Sequence, residues 1–149
     1  MNEDQQTPTP EEIHSLSVSK GWWEDKRNLF GMDILGASEL CEALEEYRNQ
    51  KEGWEERFYT ELADFYIRMV DQEEAEEECL IEYKEYSSVK KDSPISIKLG
   101  VVLNMLFKRG PMSIDTMFRL FDKEKILEAV IKKHEYNKTR PYRHGGKAC

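Results

Sequence analysis

An all-α protein is predicted, on three observations. Two long segments, Leu29 to Tyr47 and Phe58 to Met69, carry apolar residues at three- and four-residue spacings. Residues that start and stop helices bracket these segments. No stretch of useful length alternates apolar and polar residues as a half-buried strand does.

Residues 1–8 are polar and read as disordered. Thr9-Pro10-Glu11-Glu12 then starts a helix, with Thr9 as the cap, Pro10 at the first helical position and Glu12 completing a capping box. This short helix should stop near Lys20-Gly21, leaving Trp22-Trp23 in a loop. A second helix is expected from about Lys26 to Asn49, with Leu29, Ala37, Leu40, Leu44 and Tyr47 as its apolar face. Gly53 punctuates a turn. A third helix runs from about Glu55 to near Glu77, with Phe58, Leu62, Phe65, Tyr66 and Met69 on its apolar face.

The run Glu73, Glu74, Glu76, Glu77 and Glu78 reads as a solvated helix surface. Ile95 to Phe107 is a compact apolar stretch ended by Gly110-Pro111, and reads as a buried core or interface helix. Ile114 to Tyr136 is helical in pattern with a break near Asp122, and turns Phe118, Phe121, Ile126, Leu127, Val130 and Ile131 inward. Thr139-Arg140-Pro141 ends this helix, and Tyr142 to Gly146 is irregular.

Length and composition set bounds on function. The 149 residues fit one domain, 1–149. Charged residues make up 35% and apolar ones 39%, so the core must come from amphipathic elements. No apolar run is long enough for a membrane span, and the polar start Met1-Asn2-Glu3-Asp4 does not read as a signal peptide. Cys41, Cys79 and Cys149 are scattered without CxxC spacing, which suits reduced thiols in a cytoplasmic protein rather than disulfides or a zinc site. The net charge of −8 divides into +5 from Lys132 to the end and −13 over the rest. An acidic body argues against general nucleic-acid binding. The basic end reads either as a solvated tail or as a local phosphate-holding arm.

On helical wheels, Glu39, Glu42 and Glu46 form one strip beside the apolar face of the second helix. Glu61 and Asp64 form another beside that of the third, with Asp71 two turns on. Packing the two faces together lets the strips meet at the seam. Four carboxylates there repel one another unless a cation lies between them. Oxygen-only ligands select a hard ion, Mg²⁺ or Mn²⁺. The plainer alternative is chance, since thirty acids in one chain produce i,i+3 pairs readily.

The segment Ser38-Glu39-Leu40-Cys41-Glu42-Ala43-Leu44-Glu45-Glu46-Tyr47-Arg48 resembles the first motif of the MazG-like nucleotide pyrophosphohydrolases, in the all-α NTP pyrophosphatase superfamily. Glu61-Leu62-Ala63-Asp64, continuing to Asp71, resembles their second. The family pattern is EExxE, a spacer, then ExxD, and 18 residues lie between Glu42 and Glu61. The stretch Lys133 to Lys147 resembles the end of one small MazG-like group, in which Lys, Asn and Arg reach the triphosphate. Two departures stand out. Ser38 replaces the first Glu of the pattern, and residues 72–120 read as an inserted helical segment before the last helix.

The resemblance implies a helical bundle that hydrolyses a nucleoside triphosphate to a monophosphate and pyrophosphate. It implies Glu39, Glu42, Glu61 and Asp64 as Mg²⁺ ligands (Mn²⁺ as a substitute) and Glu46 as a candidate base. Lys133, Asn137 and Arg140 would bind substrate, joined less firmly by Arg143, His144 and Lys147. A homodimer or homotetramer is implied as well. Trp22 and Trp23 read either as a platform for the nucleobase or as buried loop anchors, and His14 and His134 as surface or helix-packing residues. Gly145-Gly146-Lys147 lacks the Ser/Thr and upstream Gly of a phosphate loop. The rival is a non-enzymatic acidic helical adaptor using Ile95–Phe107 as its partner surface.

Overall fold

Thr9 is extended at φ −72° and ψ 161°, its hydroxyl accepts from Glu12 N–H, and the Glu12 carboxylate accepts from Thr9 N–H. Both halves of the capping box therefore form, and α1 runs Pro10–Ser19 with proline at its start. A computed structural model describes residues 6–78, 80–82, 118 and 121–141. Besides α1 it contains α2 (Leu29–Asn49), α3 (Trp54–Glu77) and α4 (Lys123–Thr139). Two residues, Arg27–Asn28 (β1), pair in parallel with Ile81–Glu82 (β2). The architecture is all-α, with four helices among the described residues. No described helix is long and apolar enough to cross a membrane. The apolar stretch Ile95–Phe107, most of the 72–120 segment and Tyr142–Cys149 lie outside the described residues.

Helix boundaries follow local chemistry. The α2 helix begins at Leu29 rather than Lys26, because Arg27 and Asn28 are drawn into the strand pairing and the Asn28 side chain caps Phe30 N–H at 3.0 Å. It ends at Gln50, whose φ of 44° is left-handed, and Gly53 at φ 73° turns the chain into α3. Arg57 fastens this turn, donating to Glu46 Oε2 at 2.8 Å and to the Glu52 carbonyl at 2.8 Å. Asp122 marks the expected break and caps α4 by accepting from Lys125 N–H at 3.1 Å. The helix stops at Arg140, with Pro141 next. Glu73, Glu76, Glu77 and Glu78 are exposed, as a charged helix surface should be.

The α3 helix is central, packing against α2, α4 and α1. The core joins Ile13 of α1, Ala43 of α2, Leu62, Ala63, Phe65, Ile67 and Val70 of α3, and Ile126, Ala129 and Val130 of α4. Ile13, Leu62, Ile126 and Val130 are its largest fully buried apolar side chains, each stabilising the fold by about 1.5–3 kcal/mol relative to exposure. The expected face of α3 faces inward, with Leu62 and Phe65 buried and Phe58, Tyr66 and Met69 partly so.

The expected face of α2 needs correction. Leu29 and Leu40 of that face pack against the core, but Leu44 and Tyr47 are half exposed, and the fully buried positions are Phe30, Met32, Gly36, Glu39 and Ala43. The reason is close approach: a Cβ on Gly36 would lie 2.7 Å from Met69 Cε and 3.8 Å from Phe65 Cε2. Small residues at the contact let α2 lean on α3, which turns Leu44 toward solvent; Tyr47, one turn beyond Ala43 on the same face, lies near the helix end and packs edge-on against Trp54. Phe121, expected inward, precedes the Asp122 cap and is exposed, touching Phe58 at a centroid distance of 5.9 Å with the rings tilted by 59°.

Candidate metal centre

The rotation that exposes Leu44 carries Glu39 into the α2–α3 seam, where it is buried. One carboxylate oxygen each from Glu39, Glu61 and Asp64 lies within 4.8 Å of the others. On an octahedral shell of about 2.1 Å radius, neighbouring oxygens sit roughly 3.0 Å apart and opposite ones roughly 4.2 Å. The cluster is therefore within small side-chain rotations of that geometry. Glu61 and Asp64 are neighbours on one helix face, whereas Glu39 is 22 residues upstream of Glu61 and reaches them only through helix packing.

Two cations partly neutralise the cluster. Lys133 crosses from α4 and donates to Asp64 Oδ2 at 2.6 Å. Arg68, one turn beyond Asp64, donates its Nε to Glu39 Oε1 at 2.5 Å. Glu61 makes no side-chain hydrogen bond or ion pair among the described residues. Burial raises its pKa from 4.5 to about 7, reinforced by the negative charges of Asp64, Glu42 and Glu39 and opposed by Lys133. Burial likewise lifts the Asp64 carboxyl, against the pull of Lys133. Carboxylates of which one lacks an internal counter-ion, offering oxygen only, suit a hard divalent cation.

The other expected residues fall in distinct places. Glu42 is exposed, yet near enough to Glu61 to raise its pKa. Glu46 is held by Arg57 at the α2–α3 turn and does not join the three-carboxylate group. Asn137, one turn beyond Lys133, is buried, and its Oδ1 accepts no hydrogen bond among the described residues. The Arg140 guanidinium lies 5.7 Å from the Trp22 ring centroid and 6.0 Å from that of Tyr136. Trp22 thus serves as a platform for Arg140. Lys20 Nζ fixes this corner by donating to the Lys138 and Arg140 carbonyls, both at 2.7 Å. Arg143, His144 and Lys147 lie outside the described residues.

Asp71 lies on the same helix as Glu61 and Asp64 but serves another network. His14 Nδ1 meets its Oδ1 at 2.7 Å, and Trp23 Nε1 donates to both its oxygens at 3.0 and 3.1 Å. Burial raises the Asp71 carboxyl, while His14 and Trp23 pull it back. His14 and His134 are both buried packing residues, and Trp23 is a buried anchor. Burial also lowers the His134 pKa, helped by Lys138. An open groove of about 490 Å³ lies between the segment before α1, α1 itself and α4, and none of the clustered carboxylates lines it.

Arg68 is the site residue that sequence reading missed. Its signal was present in ExxDxxxR spacing, which puts Arg68 one turn after Asp64, but nothing local pairs it with Glu39 across the seam. Comparison with protein-family models, curated proteins and solved structures returned no match.

Proposed function

We propose that the protein is a Mg²⁺-dependent nucleoside triphosphate pyrophosphohydrolase, converting a triphosphate and water to a monophosphate and pyrophosphate. The observation that carries this reading is the convergence of Glu39, Glu61 and Asp64 from two helices, with Lys133 of a third helix 2.6 Å from Asp64. The order and spacing of the three sequence motifs support it.

Glu39, Glu61 and Asp64 would hold the ion, with Glu42 beside Glu61 as the fourth carboxylate. A divalent ion there supplies Lewis-acid polarisation of a phosphoryl oxygen and acidifies bound water. Lys133 and Arg140 lie on the same side of α4, the first at the carboxylates and the second over Trp22 and Tyr136. Their charges offset those of the triphosphate and of the departing pyrophosphate. Water attacks the α-phosphorus in line, the Pα–O bond to the β-phosphate breaks, and pyrophosphate leaves. A carboxylate not committed to an internal cation takes the proton of the attacking water, and Glu42 fits this better than Glu46, whose Oε2 is bound by Arg57. Half-exposed Leu44 and Tyr47 offer apolar surface for the homodimer or homotetramer that the reading includes.

The test is a panel of ribo- and deoxynucleoside triphosphates incubated with Mg²⁺, followed by separation of the products. Monophosphate and pyrophosphate should form only with the metal, and Glu61→Gln should abolish turnover with the fold intact. Absence of turnover over the whole panel favours the adaptor, and metal-independent turnover contradicts the Mg²⁺ assignment.

A further inference from the structure

Lys133 is the cation most firmly embedded among the clustered carboxylates. Its side chain is 22% exposed and that of Asp64 16%, against 41% for Arg68. Arg68 belongs to α3 itself and bonds Glu39 at the edge of the seam, whereas Lys133 comes from a separate helix and also counters the charge of Glu61. A divalent ion bound by Asp64 would sit close to this ammonium, and the two positive charges would repel in a poorly solvated place. In the same conformation its Nζ is 5.7 Å from the ring centroid of Tyr136, so the Lys133 ammonium borders this ring while bonded to Asp64. The Arg140 guanidinium is 6.0 Å from that same ring. An anion spanning Lys133 and Arg140 along α4 would find two cations already gathered on one aromatic side chain.

We propose that Lys133 holds the charge position of the divalent ion in the cation-free site and passes from Asp64 to the substrate's phosphates when the ion enters, so that one side chain couples cation binding to phosphate binding. This coupling rests on Glu39, Glu61 and Asp64 forming a divalent-cation site. Its signature is a pair of effects of opposite sign, which a packing defect does not produce. Removing the ammonium frees Asp64 for the cation and deprives the phosphates of a partner.

The experiment titrates Mn²⁺ into the wild type and Lys133→Met, reading free Mn²⁺ by electron paramagnetic resonance, with Lys133→Gln beside it in case one replacement disturbs packing. Binding of a fluorescent α,β-methylene nucleoside triphosphate is then measured at saturating Mn²⁺. Without nucleotide, the variants should bind Mn²⁺ about five-fold or more tightly than the wild type, and the analogue about ten-fold more weakly. Unchanged or weaker Mn²⁺ binding in folded variants overturns the coupling while leaving the cation site standing. Failure of the wild type to bind Mn²⁺ overturns the site and the coupling together.

Discussion

Lys133 Nζ and Asp64 Oδ2 meet at 2.6 Å across the α3–α4 interface, joining residues 69 apart in sequence. This pair pins the basic end of α4 over the acidic seam between α2 and α3. Glu61, beside it, makes no ion pair of its own among the described residues, and the consequences of that imbalance can be measured.

Replacing Glu61 by Gln removes one of several mutually repelling carboxylates. In the cation-free protein at pH 8, Glu61→Gln should raise the Tm by about 2–5 °C, because the charge it removes is unfavourable in the folded state. The same variant should lose turnover. Thermal unfolding in chelator checks the first effect, and a fall in Tm would show that Glu61 is stabilised by its surroundings.

The pKa of about 7 for Glu61 also sets a pH dependence. The folded chain keeps this proton at a pH where the unfolded chain, with an ordinary value of 4.5, has released it. The contribution of Glu61 to stability is therefore fully present below about pH 4.5, declines as pH rises toward 7, and is gone above 7. Cation binding runs the other way, because a ligand must be deprotonated. Mn²⁺ affinity should climb between pH 6 and 8 and level off above that range, and Glu61→Gln should flatten the climb. Titrations at fixed ionic strength decide it, and a flat wild-type profile would count against the assignment.

The buried network around Asp71 should act on stability alone. His14→Ala removes the nearer partner of a buried carboxylate and should cost about 2–4 kcal/mol, tempered because the single Trp23 N–H still donates, bifurcated over both Asp71 oxygens. Trp23→Phe should cost about 1–3 kcal/mol through the lost donor. Denaturant unfolding measures both. Mn²⁺ affinity should be unaltered in either, since Asp71 bonds His14 and Trp23 and is not a member of the three-carboxylate group.

Gly36 tests whether helix approach positions the site. A methyl group there meets only the flexible end of Met69 at close range. Gly36→Ala should fall within about 1 kcal/mol of the wild type, as the gain in helix propensity offsets the shift of Met69. Gly36→Leu should cost about 1–3 kcal/mol by overpacking and weaken Mn²⁺ binding by spreading Glu39 from Asp64. Equal Mn²⁺ affinity in a folded Gly36→Leu variant would separate the helix contact from the site.

What could be read from the sequence divides along a physical line. Thr9 with Glu12, Gly53 and Asp122 act within a few residues, and each marks an element boundary where expected. Periodicity located α2 and α3 and put Glu39, Glu42, Glu46, Glu61 and Asp64 on strips facing their shared seam, where Glu39, Glu61 and Asp64 come together. It did not set the rotation of α2. An apolar count favours Leu44, whereas the contact with α3 selects Gly36 and Ala43 because they are small, and Tyr47 is exposed because α2 ends there. That rotation also decides that Glu39 is buried, that Glu42 is exposed and that Glu46 meets Arg57. Partners distant in sequence were equally out of reach. His14 finds Asp71 57 residues away, Arg27 pairs with Ile81, and Arg68 reaches back to Glu39.

Crystals grown with Mn²⁺ and measured near its absorption edge would locate the ion directly. An anomalous peak about 2.1 Å from oxygens of Glu39, Glu61 and Asp64 is the expected result. No peak at that seam under saturating Mn²⁺, or a peak held by other residues alone, would contradict the convergence of these carboxylates on a shared cation.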